Sequence, residues 1–457
     1  MPRLPGTMAE RRRRVLMLVS ALPPGPQVVL RTFKFARYLP GFGWLPVGLT
    51  ARQNRTLAGE DIEQLPWRLR ARQTPRFPTP SQVARSALRT RDVVVTQRGV
   101  RSGPGLRTTT PPRLSGLRRL LAILDTPDDF VGWLPFALLA GHVIASRNRI
   151  AVIHASGPPF SVVWAGALLS RWTGLPLVAD FRDTWTLDAQ DPFGSIGGSF
   201  QAGSSATRLR LLQRLEAWCL GEARAVLFTS EATMRLYQTH YPGILGRCHL
   251  ILNGFDPEDF SQALAHQLPR PTIAHVGTLH EYQRAQVASL FEAVALASRE
   301  ISDLQLALVG PIGSALRDDL LTVARQLGVE SRLSLTGPVP HVEAVRWLRA
   351  VDLLLLFAGD NPFIRLSKIS EYVAAGRPMM AFARPESQTA RDVREHGAEV
   401  LYEASLDLIA QRLAEGVRRG LESRGLTAAV PLRHPHPLNR RTEAQELAEI
   451  LNAVSRH

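Results

Sequence analysis

The stretch FIRLSKISEYVAAGRPMMAFA, residues 363–383, predicts a short helix followed at once by a buried strand. Ser367 is a residue type that caps helix N-termini, and Gly376 followed by Pro378 closes the helix. The run PMMAFA, residues 378–383, is apolar throughout, as in a strand that is covered on both faces. A helix that leads directly into such a strand is half of an α/β repeat.

Short apolar runs of this kind recur along the chain and alternate with helical patterns. This alternation is typical of parallel sheets covered by helices on both faces. The runs are residues 14–20, 45–50, 92–97, 150–156, 175–181 and 225–230 in the first half and 272–277, 304–310, 332–337, 352–357 and 378–383 in the second. The sequence therefore predicts an α/β protein with two doubly wound, Rossmann-like domains in succession.

Turn-forming residues between positions 256 and 270 separate the two sets of strands. We therefore expect an N-terminal domain over residues 1–260 and a C-terminal domain over residues 261–430. Residues 431–457 are predicted to form a tail and a helix that packs back on the domains. Weakly patterned stretches interrupt the N-terminal domain, and long loops of this kind commonly bind substrate or form lids. They cover residues 52–91, 98–113 and 188–208.

No stretch of the sequence is apolar over the roughly 20 residues that span a bilayer. The longest apolar run, residues 130–146, contains His142 and is predicted as a buried helix. The two cysteines, Cys219 and Cys248, lack metal-ligand spacing and form no disulfide framework. These features predict a cytoplasmic protein without a transmembrane segment and without a metal site.

The net charge of +15 lies wholly in the first part of the chain. Residues 1–260 contain 33 arginine and lysine residues against 18 acidic residues, whereas residues 261–457 contain 22 of each sign. Such a basic half suits nucleic acid, an anionic membrane or an acidic substrate. Because the sequence has no zinc-finger, RRM or helix-turn-helix pattern, we expect no nucleic-acid partner. The inner face of the membrane or a phosphorylated substrate is the better interpretation, and a solvated basic face is the alternative.

The first predicted strand is followed by a turn that contains Gly25 and by a helix that carries Arg31 and Lys34. A glycine turn before a helix N-terminus presents backbone N–H groups that can bind an anion, and the two basic side chains could flank it. A plain turn with a solvated basic helix face is an equally good interpretation, because one glycine is a weak signal.

Two later strands of the N-terminal domain also end in polar residues. His154 closes one of them and is either a structural residue or a catalyst. The next strand ends in ADFRDTWT, residues 179–186. There Asp180 and Asp183 either pair with Arg182 or face substrate hydroxyls, one of them as a base.

Glycines follow three predicted strands of the C-terminal domain, at Gly277, Gly310 and Gly337. Glycine at a strand end lets the backbone approach a ligand closely. Lys368, one of only two lysines in the chain, is predicted at the first position of its helix, where its charge opposes the helix dipole. A bound phosphate would explain the lysine, and a surface pair with Glu371 is the alternative.

The chain resembles the nucleotide-sugar glycosyltransferases of the GT-B fold, specifically the retaining glycosyltransferase family 4. The resemblance lies in blocks that follow the family's order: PPGPQVVLRTFKFARYLPGFGWLPVGLT, TPDDFVGWLPFALLAG, VIHASGPPFS, LVADFRDTWT, LILNGFDPEDF, HVGTLHE, LVGP and KISEYVAAGRPMMAF. It implies two Rossmann-like domains that face a cleft, with the donor sugar nucleotide on the C-terminal domain and the acceptor on the N-terminal domain. It also implies sugar transfer with retention that needs neither a metal nor a cofactor.

The resemblance assigns roles in nucleotide binding to four residues of the C-terminal domain. Glu371 matches the glutamate that binds the nucleotide ribose. Arg284 and Lys368 are candidates for the diphosphate, and Gly277 lies in the loop that closes on it.

Further contacts are implied on both domains. The backbone around Gly337 and Val339 contacts the base, and Gly25 with Arg31 faces the donor sugar and the acceptor. An acidic residue expected eight positions before the ribose-binding glutamate is replaced by Phe363, which puts contact with the donor sugar in question.

The catalytic histidine of the family's N-terminal domain has no single equivalent here. His154 is one candidate, and the pair Asp180 and Asp183 is the other. Retention in this family is thought to proceed by front-face displacement, so no protein nucleophile is named.

These features predict an enzyme that transfers a sugar from a nucleoside-diphosphate sugar to an acceptor hydroxyl, in the synthesis of cell-surface glycans or glycolipids. The acceptor is a glycan, a lipid-linked glycan or a small molecule. One alternative is another GT-B activity such as sugar-nucleotide epimerisation. The other is a non-catalytic scaffold that binds a sugar nucleotide or a glycan.

Overall fold

The computed structural model of the chain describes residues 13–20, 30–52, 70–80, 82–83, 125–187, 206–262, 265–359, 361–363, 365–424 and 436–456. They divide into two compact units. The first unit lies within Met1–Thr229, Met234–Ile251 and Ala444–His457, and the second within Ser230–Thr233 and Leu252–Glu443. Each unit contains a parallel sheet covered by helices.

The described strands of the first unit form a seven-stranded parallel sheet in the order β3-β2-β1-β4-β5-β6-β7. The strands are β1 Arg13–Val19, β2 Trp44–Ala51, β3 Arg70–Thr74, β4 Ile150–Gly157, β5 Leu177–Phe181, β6 Ala223–Phe228 and β7 Cys248–Leu250. The helices of this part of the chain are α1 Leu30–Tyr38, α2 Leu134–Asn148, α3 Phe160–Thr173, α4 Ala206–Glu222 and α5 Glu231–His240. The strand order reverses between β1 and β4, where α/β sheets usually place a ligand.

The second unit has a six-stranded parallel sheet in the order β10-β9-β8-β11-β12-β13. Its strands are β8 Thr272–Val276, β9 Gln305–Val309, β10 Leu333–Gly337, β11 Leu353–Gly359, β12 Met379–Ala383 and β13 Glu399–Leu401. The helices are α6 Pro257–Gln262, α7 Arg284–Ala297, α8 Ser314–Gln326, α9 His341–Ala350, α10 Lys368–Ala375, α11 Gln388–Glu395, α12 Leu406–Glu422 and α13 Arg440–Val454. This strand order reverses between β8 and β11.

Both faces of the first sheet are covered, and this explains why β1 is apolar at successive positions. Leu16 and Leu18 pack on one face with α2 and α3, whereas Val15 and Met17 pack on the other with α1 and α13. Successive side chains of a strand point to opposite faces, so a strand with two covered faces has no polar side to show.

The predicted fold class is confirmed, and the strands missed by the sequence prediction share one property. The strands β3, β7 and β13 each lie at the edge of a sheet. An edge strand needs no continuous apolar run, and β3 reads RARQT within a stretch that was predicted as a loop. The predicted strand at residues 92–97 lies outside the described residues.

The boundary between the units differs from the predicted one. The chain passes from the first unit to the second after Ile251 rather than after residue 260, because Phe255 and Phe260 pack into the core of the second unit. The last helix, α13, begins in the second unit, and from Ala444 onward it packs on the first, where Leu447 lies in the same core as β1.

The apolar run at residues 130–146 is a helix, α2, as predicted, but it is not buried on all sides. Its buried positions are Ala137, Ala140, Gly141 and Ile144, whereas Leu139 is 63% exposed. Among the described residues no helix has both the length and the apolar character needed to cross a membrane.

Candidate functional site

Three glycines meet at the carboxyl edge of the second sheet. Gly277 follows β8, Gly310 follows β9 and Gly337 ends β10, and all three have positive φ, at 142°, 130° and 70°. Gly310 forms a bridge with Gly337, and the Gly277 N–H donates to the Val309 carbonyl at 2.6 Å. A Cβ on Gly310 would lie 2.6 Å from the Gly277 carbonyl oxygen. The glycines predicted from separate strand ends therefore form one closely packed backbone edge.

The ammonium group of Lys368 lies against this edge. A Cβ on Gly277 would lie 1.7 Å from the lysine Nζ and 2.0 Å from its Cε, so the two residues fit together only because Gly277 has no side chain. Lys368 is the first residue of α10, which follows β11, and Gly277 follows β8. The pair therefore lies at the point where the strand order of this sheet reverses.

His275 and a backbone carbonyl hold the ammonium group in place. The Nδ1 of His275 is 3.0 Å from the Leu355 carbonyl, to which it donates, and its Nε2 therefore carries the lone pair that faces the Lys368 Nζ at 3.4 Å. The Thr278 carbonyl also lies 3.4 Å from this Nζ. Burial, and then the lysine charge, lower the pKa of His275 to about 3, so the ring is neutral. Both groups that hold the ammonium are thus uncharged.

Burial lowers the pKa of Lys368 to about 8, although the nearby Glu371 raises it. The Lys368 ammonium is half-buried and both of its hydrogen-bonding partners are neutral, so a bound anion would stabilise its charge. The alternative interpretation was a solvated Lys368–Glu371 pair on the surface. It does not fit an ammonium that contacts His275 and the Thr278 carbonyl.

Glu371 is held by a histidine that the sequence prediction missed. His341, the first residue of α9, donates from Nε2 to the Glu371 Oε1 at 2.8 Å, and its Nδ1 lies 3.7 Å from the Asp259 Oδ2. Burial raises the pKa of Glu371, but the His341 hydrogen bond and charge, with Arg440 and Lys368, lower it on balance. The carboxylate is therefore ionised, with one oxygen fixed.

His275 and His341 are the two residues of this site that the sequence did not single out. His275 lies inside the apolar run of β8, and His341 begins α9 directly after the turn residues PVP, so neither position shows a local sign of a binding site. Both make their site contacts with α10, about 93 and 30 positions away in sequence. Only the tertiary structure brings these groups together.

One local prediction at α10 is wrong. Ser367 was expected to cap the helix, but its backbone is already helical, with φ −59° and ψ −26°, and its side chain accepts no cap hydrogen bond. A capping residue needs an extended backbone to direct its oxygen at the first turn. The other end is as predicted, since Gly376 closes α10 in the left-handed conformation, with φ 66°.

The contacts found for the other predicted donor-site residues are with residues other than Lys368 and Gly277. Arg284 is half exposed and pairs with Asp319 at 2.6 Å, so its role at a diphosphate stays a prediction. Val339 is partly buried against the apolar core of the second unit. The carbonyl of Phe363 accepts a hydrogen bond from Ser230 at 2.6 Å. Gly25 lies outside the described residues.

The first unit contains a separate buried polar cluster. The Arg31 guanidinium, which is 2% exposed, lies 3.4 Å from the Asp180 Oδ2 and donates to the Ile251 carbonyl at 2.8 Å. Ser156 donates to the same Asp180 oxygen at 2.9 Å, and the His154 Nε2 lies 3.9 Å from it. Arg31 was predicted to face substrate; the structure shows these contacts to Asp180 and Ile251, and a role of Arg31 toward substrate stays a prediction.

His154 is fully buried, and neither ring nitrogen makes a hydrogen bond within the described structure. Burial lowers its pKa to about 4, against the opposing effect of Asp180, so the ring is neutral at physiological pH. Asp183 follows Arg182, whose side chain donates to the Gly157 carbonyl at 3.1 Å. A catalytic role for His154, Asp180 or Asp183 stays a prediction.

Replacement of Asp180 by alanine should destabilise the protein by about 3–5 kcal/mol, because it leaves the buried Arg31 charge without its carboxylate. Urea unfolding measures this loss. Asp183→Ala is the matched control and should lower the free energy of unfolding much less, because Asp183 is partly exposed whereas Asp180 is fully buried. Equal, small effects of both variants would show that the Arg31 pair is not structural.

Comparison with known proteins gives three findings. Residues 92–259 match the model of glycosyltransferase family 4. A curated relative, the D-inositol 3-phosphate glycosyltransferase 1 of Catenulispora acidiphila, is 30% identical over 241 residues, which are 49% of this chain and 54% of that protein. The chain thus spans about half the length of the curated relative it matches.

Two solved structures are similar over nearly the whole chain. An Anabaena protein, Alr3699/HepE, in complex with UDP and glucose, has a TM-score of 0.61 and 16% identity, and the match covers 96% of this chain and 100% of that one. A candidate UDP-N-acetylglucosamine 2-epimerase of Listeria monocytogenes has a TM-score of 0.57 and 10% identity, with 97% and 96% covered. The chain therefore has a fold of two doubly wound α/β units that is similar to these structures, and its residues 92–259 resemble glycosyltransferase family 4.

Proposed function

We propose that the protein is a glycosyltransferase that moves a sugar from a nucleoside-diphosphate sugar to an acceptor hydroxyl, with retention. The observation that carries the proposal is the contact between Lys368 and the glycine edge, because a half-buried ammonium beside a close-packed backbone turn suits a diphosphate. We further propose that the ionised Glu371, one turn along α10, accepts hydrogen bonds from ribose hydroxyls; its lowered pKa supports this role.

The chemistry of transfer requires that the departing diphosphate be stabilised as negative charge develops on it. The Lys368 ammonium and the N-terminus of α10 supply fixed positive potential at one place. We therefore propose a metal-independent and cofactor-independent reaction, in which activity survives chelation by EDTA. The displacement occurs on the face of the sugar from which the diphosphate leaves, without a covalent sugar-enzyme intermediate.

The relatives suggest which substrates to test first. One solved relative was crystallised with UDP and glucose, and the curated relative is named for D-inositol 3-phosphate. UDP-glucose, other UDP-, GDP- and TDP-sugars, and an inositol phosphate acceptor therefore form the first panel. A glycan or a lipid-linked glycan of the cell surface is the further acceptor class that we propose, with the acceptor bound by the first unit and with His154, Asp180 or Asp183 acting in catalysis.

Two assays separate this function from its alternatives. A thermal-shift panel finds the donor, because a ligand at a hundred times its Kd stabilises by about 2.7 kcal/mol. Release of free nucleoside diphosphate is then measured with and without acceptors. Release that depends on an acceptor supports transfer. Conversion of the donor sugar without an acceptor indicates an epimerase, an activity that the same fold accommodates. Donor binding without turnover across acceptors indicates a scaffold.

The affinity for UDP-glucose should fall as the pH rises through about 8, by up to about tenfold per pH unit above that value. The pKa of Lys368 is about 8, so the ammonium is present below this pH and is lost above it. His275, His280 and Glu371 also lie near the site, but their pKa values are lowered, so their charges do not change in this range. Isothermal titration between about pH 7 and 9 measures the effect.

The variant Lys368→Arg is the control for this pH dependence. A guanidinium stays charged across the range, so the affinity of this variant should be nearly independent of pH, whatever its absolute value. A wild-type affinity that is flat across the same range would contradict the assignment of Lys368 to the diphosphate.

A further inference from the structure

A continuous strip of apolar side chains lies on the surface of the first unit. Phe77 packs against Phe136 of α2 with ring centroids 4.9 Å apart, and Leu139 lies three positions from both Phe136 and His142, so it neighbours each of them on the helix surface. His142 stacks on Trp172 of α3 at 4.2 Å, with an angle of 12° between the rings. We call these five residues the α2–α3 strip.

Three large apolar side chains of the strip are exposed to solvent, although side chains of this kind are usually buried in a folded protein. Phe77 is 60% exposed, Leu139 63% and Trp172 51%. The described part of the chain has eight large apolar residues that are at least 36% exposed, and three of them lie on this one strip. Single exposed apolar residues are ordinary, whereas a contiguous group marks an interaction surface.

Exposed arginines border the strip at both ends, and the exposed carboxylate of Asp129 lies next to Phe130, whose ring Arg76 covers. Arg76 adjoins Phe77 at one end and Arg171 adjoins Trp172 at the other, and both are exposed. Arg171 pairs with Glu222 at 3.5 Å, but its side chain is still 70% exposed. From Leu134 to Ala179 the sequence contains three arginines and no acidic residue. Aromatic and aliphatic side chains between arginines match the acyl boundary and the phosphates of an anionic lipid surface.

We propose that the α2–α3 strip docks the protein on an anionic membrane surface, with Phe77, Leu139 and Trp172 inserted at the headgroup boundary and the flanking arginines on lipid phosphates. The complementary charge favours lipid over a second copy of the chain, because an isologous contact would place arginines against arginines. This inference does not depend on the identity of the donor or on the proposed reaction.

The experiment is co-sedimentation of the full chain with vesicles of phosphatidylcholine alone and of phosphatidylcholine mixed with phosphatidylglycerol. We expect binding to the mixed vesicles that weakens with salt, and much weaker binding to the neutral ones. The double variant Leu139→Glu/Trp172→Glu should reduce binding to mixed vesicles at least tenfold. Both positions are exposed, so the variant should fold, which circular dichroism and thermal unfolding check.

The matched control is Leu245→Glu. Leu245 is as exposed as Leu139, at 63%, and lies in the same unit but in the short 3-10 helix Pro242–Arg247. It should leave vesicle binding unchanged. Equal binding to both vesicle types, no binding at low salt, or equal losses in the control and the strip variant would each overturn the proposal. A wild-type dimer that the strip variant converts to a monomer, seen by sedimentation equilibrium, would overturn it in favour of self-association.

Discussion

Replacing Lys368 by alanine should lower the affinity for UDP-glucose by about 10- to 100-fold, the loss expected when one charge-assisted contact to a phosphate is removed. The lysine Nζ lies at the glycine edge, held by the neutral His275 and the Thr278 carbonyl, and neither of these partners neutralises its charge. Isothermal titration with UDP-glucose measures the change.

The stability of the Lys368 variant should behave in the opposite way. Burial lowers the pKa of Lys368, which means that the folded protein holds this charge at a cost. Lys368→Met keeps the alkyl stem and removes the charge, so its free energy of unfolding should equal or exceed that of the wild type while donor affinity falls. A variant that loses stability but binds the donor normally would return Lys368 to a structural role.

The substitution Gly277→Ala should lower the affinity for UDP-glucose by about 10- to 100-fold, as Lys368→Ala does, in the same assay. The new Cβ would occupy the position of the lysine ammonium, 1.7 Å from Nζ, and would force the side chain of Lys368 away from the edge. The φ of 142° at Gly277 is also one that residues with a Cβ rarely adopt, so we expect a loss of about 1–3 kcal/mol in unfolding free energy.

Two further variants separate displacement of the lysine from backbone strain. Gly328→Ala places a Cβ at another positive φ, 69°, where no atom lies within 4 Å, so it should lose stability and keep donor affinity. In the double variant Gly277→Ala/Lys368→Ala, the second substitution should cost no further affinity, because the ammonium has already been displaced. Additive losses would show that the two residues act at different places.

The sequence pattern predicted the central strands of both sheets, and the reason is physical. A strand covered on both faces must be apolar at successive positions, and this is visible without any tertiary information. The edge strands β3, β7 and β13 carry no such requirement and were missed. The boundary after Ile251 could not be predicted from a local pattern either, because it depends on the core into which Phe255 and Phe260 pack.

At the candidate site, local sequence patterns were enough to predict where five residues lie. They placed three glycines at strand ends, a lysine at the start of α10 and a glutamate one turn later. The tertiary structure alone decided that the Gly277 backbone and the Lys368 ammonium share one point, that His275 holds the lysine and that His341 holds Glu371. It also decided that Arg31 contacts Asp180. The physical reason is that a local pattern fixes which element a residue belongs to, whereas the partner of a buried charge is set by packing between elements that are distant in the chain.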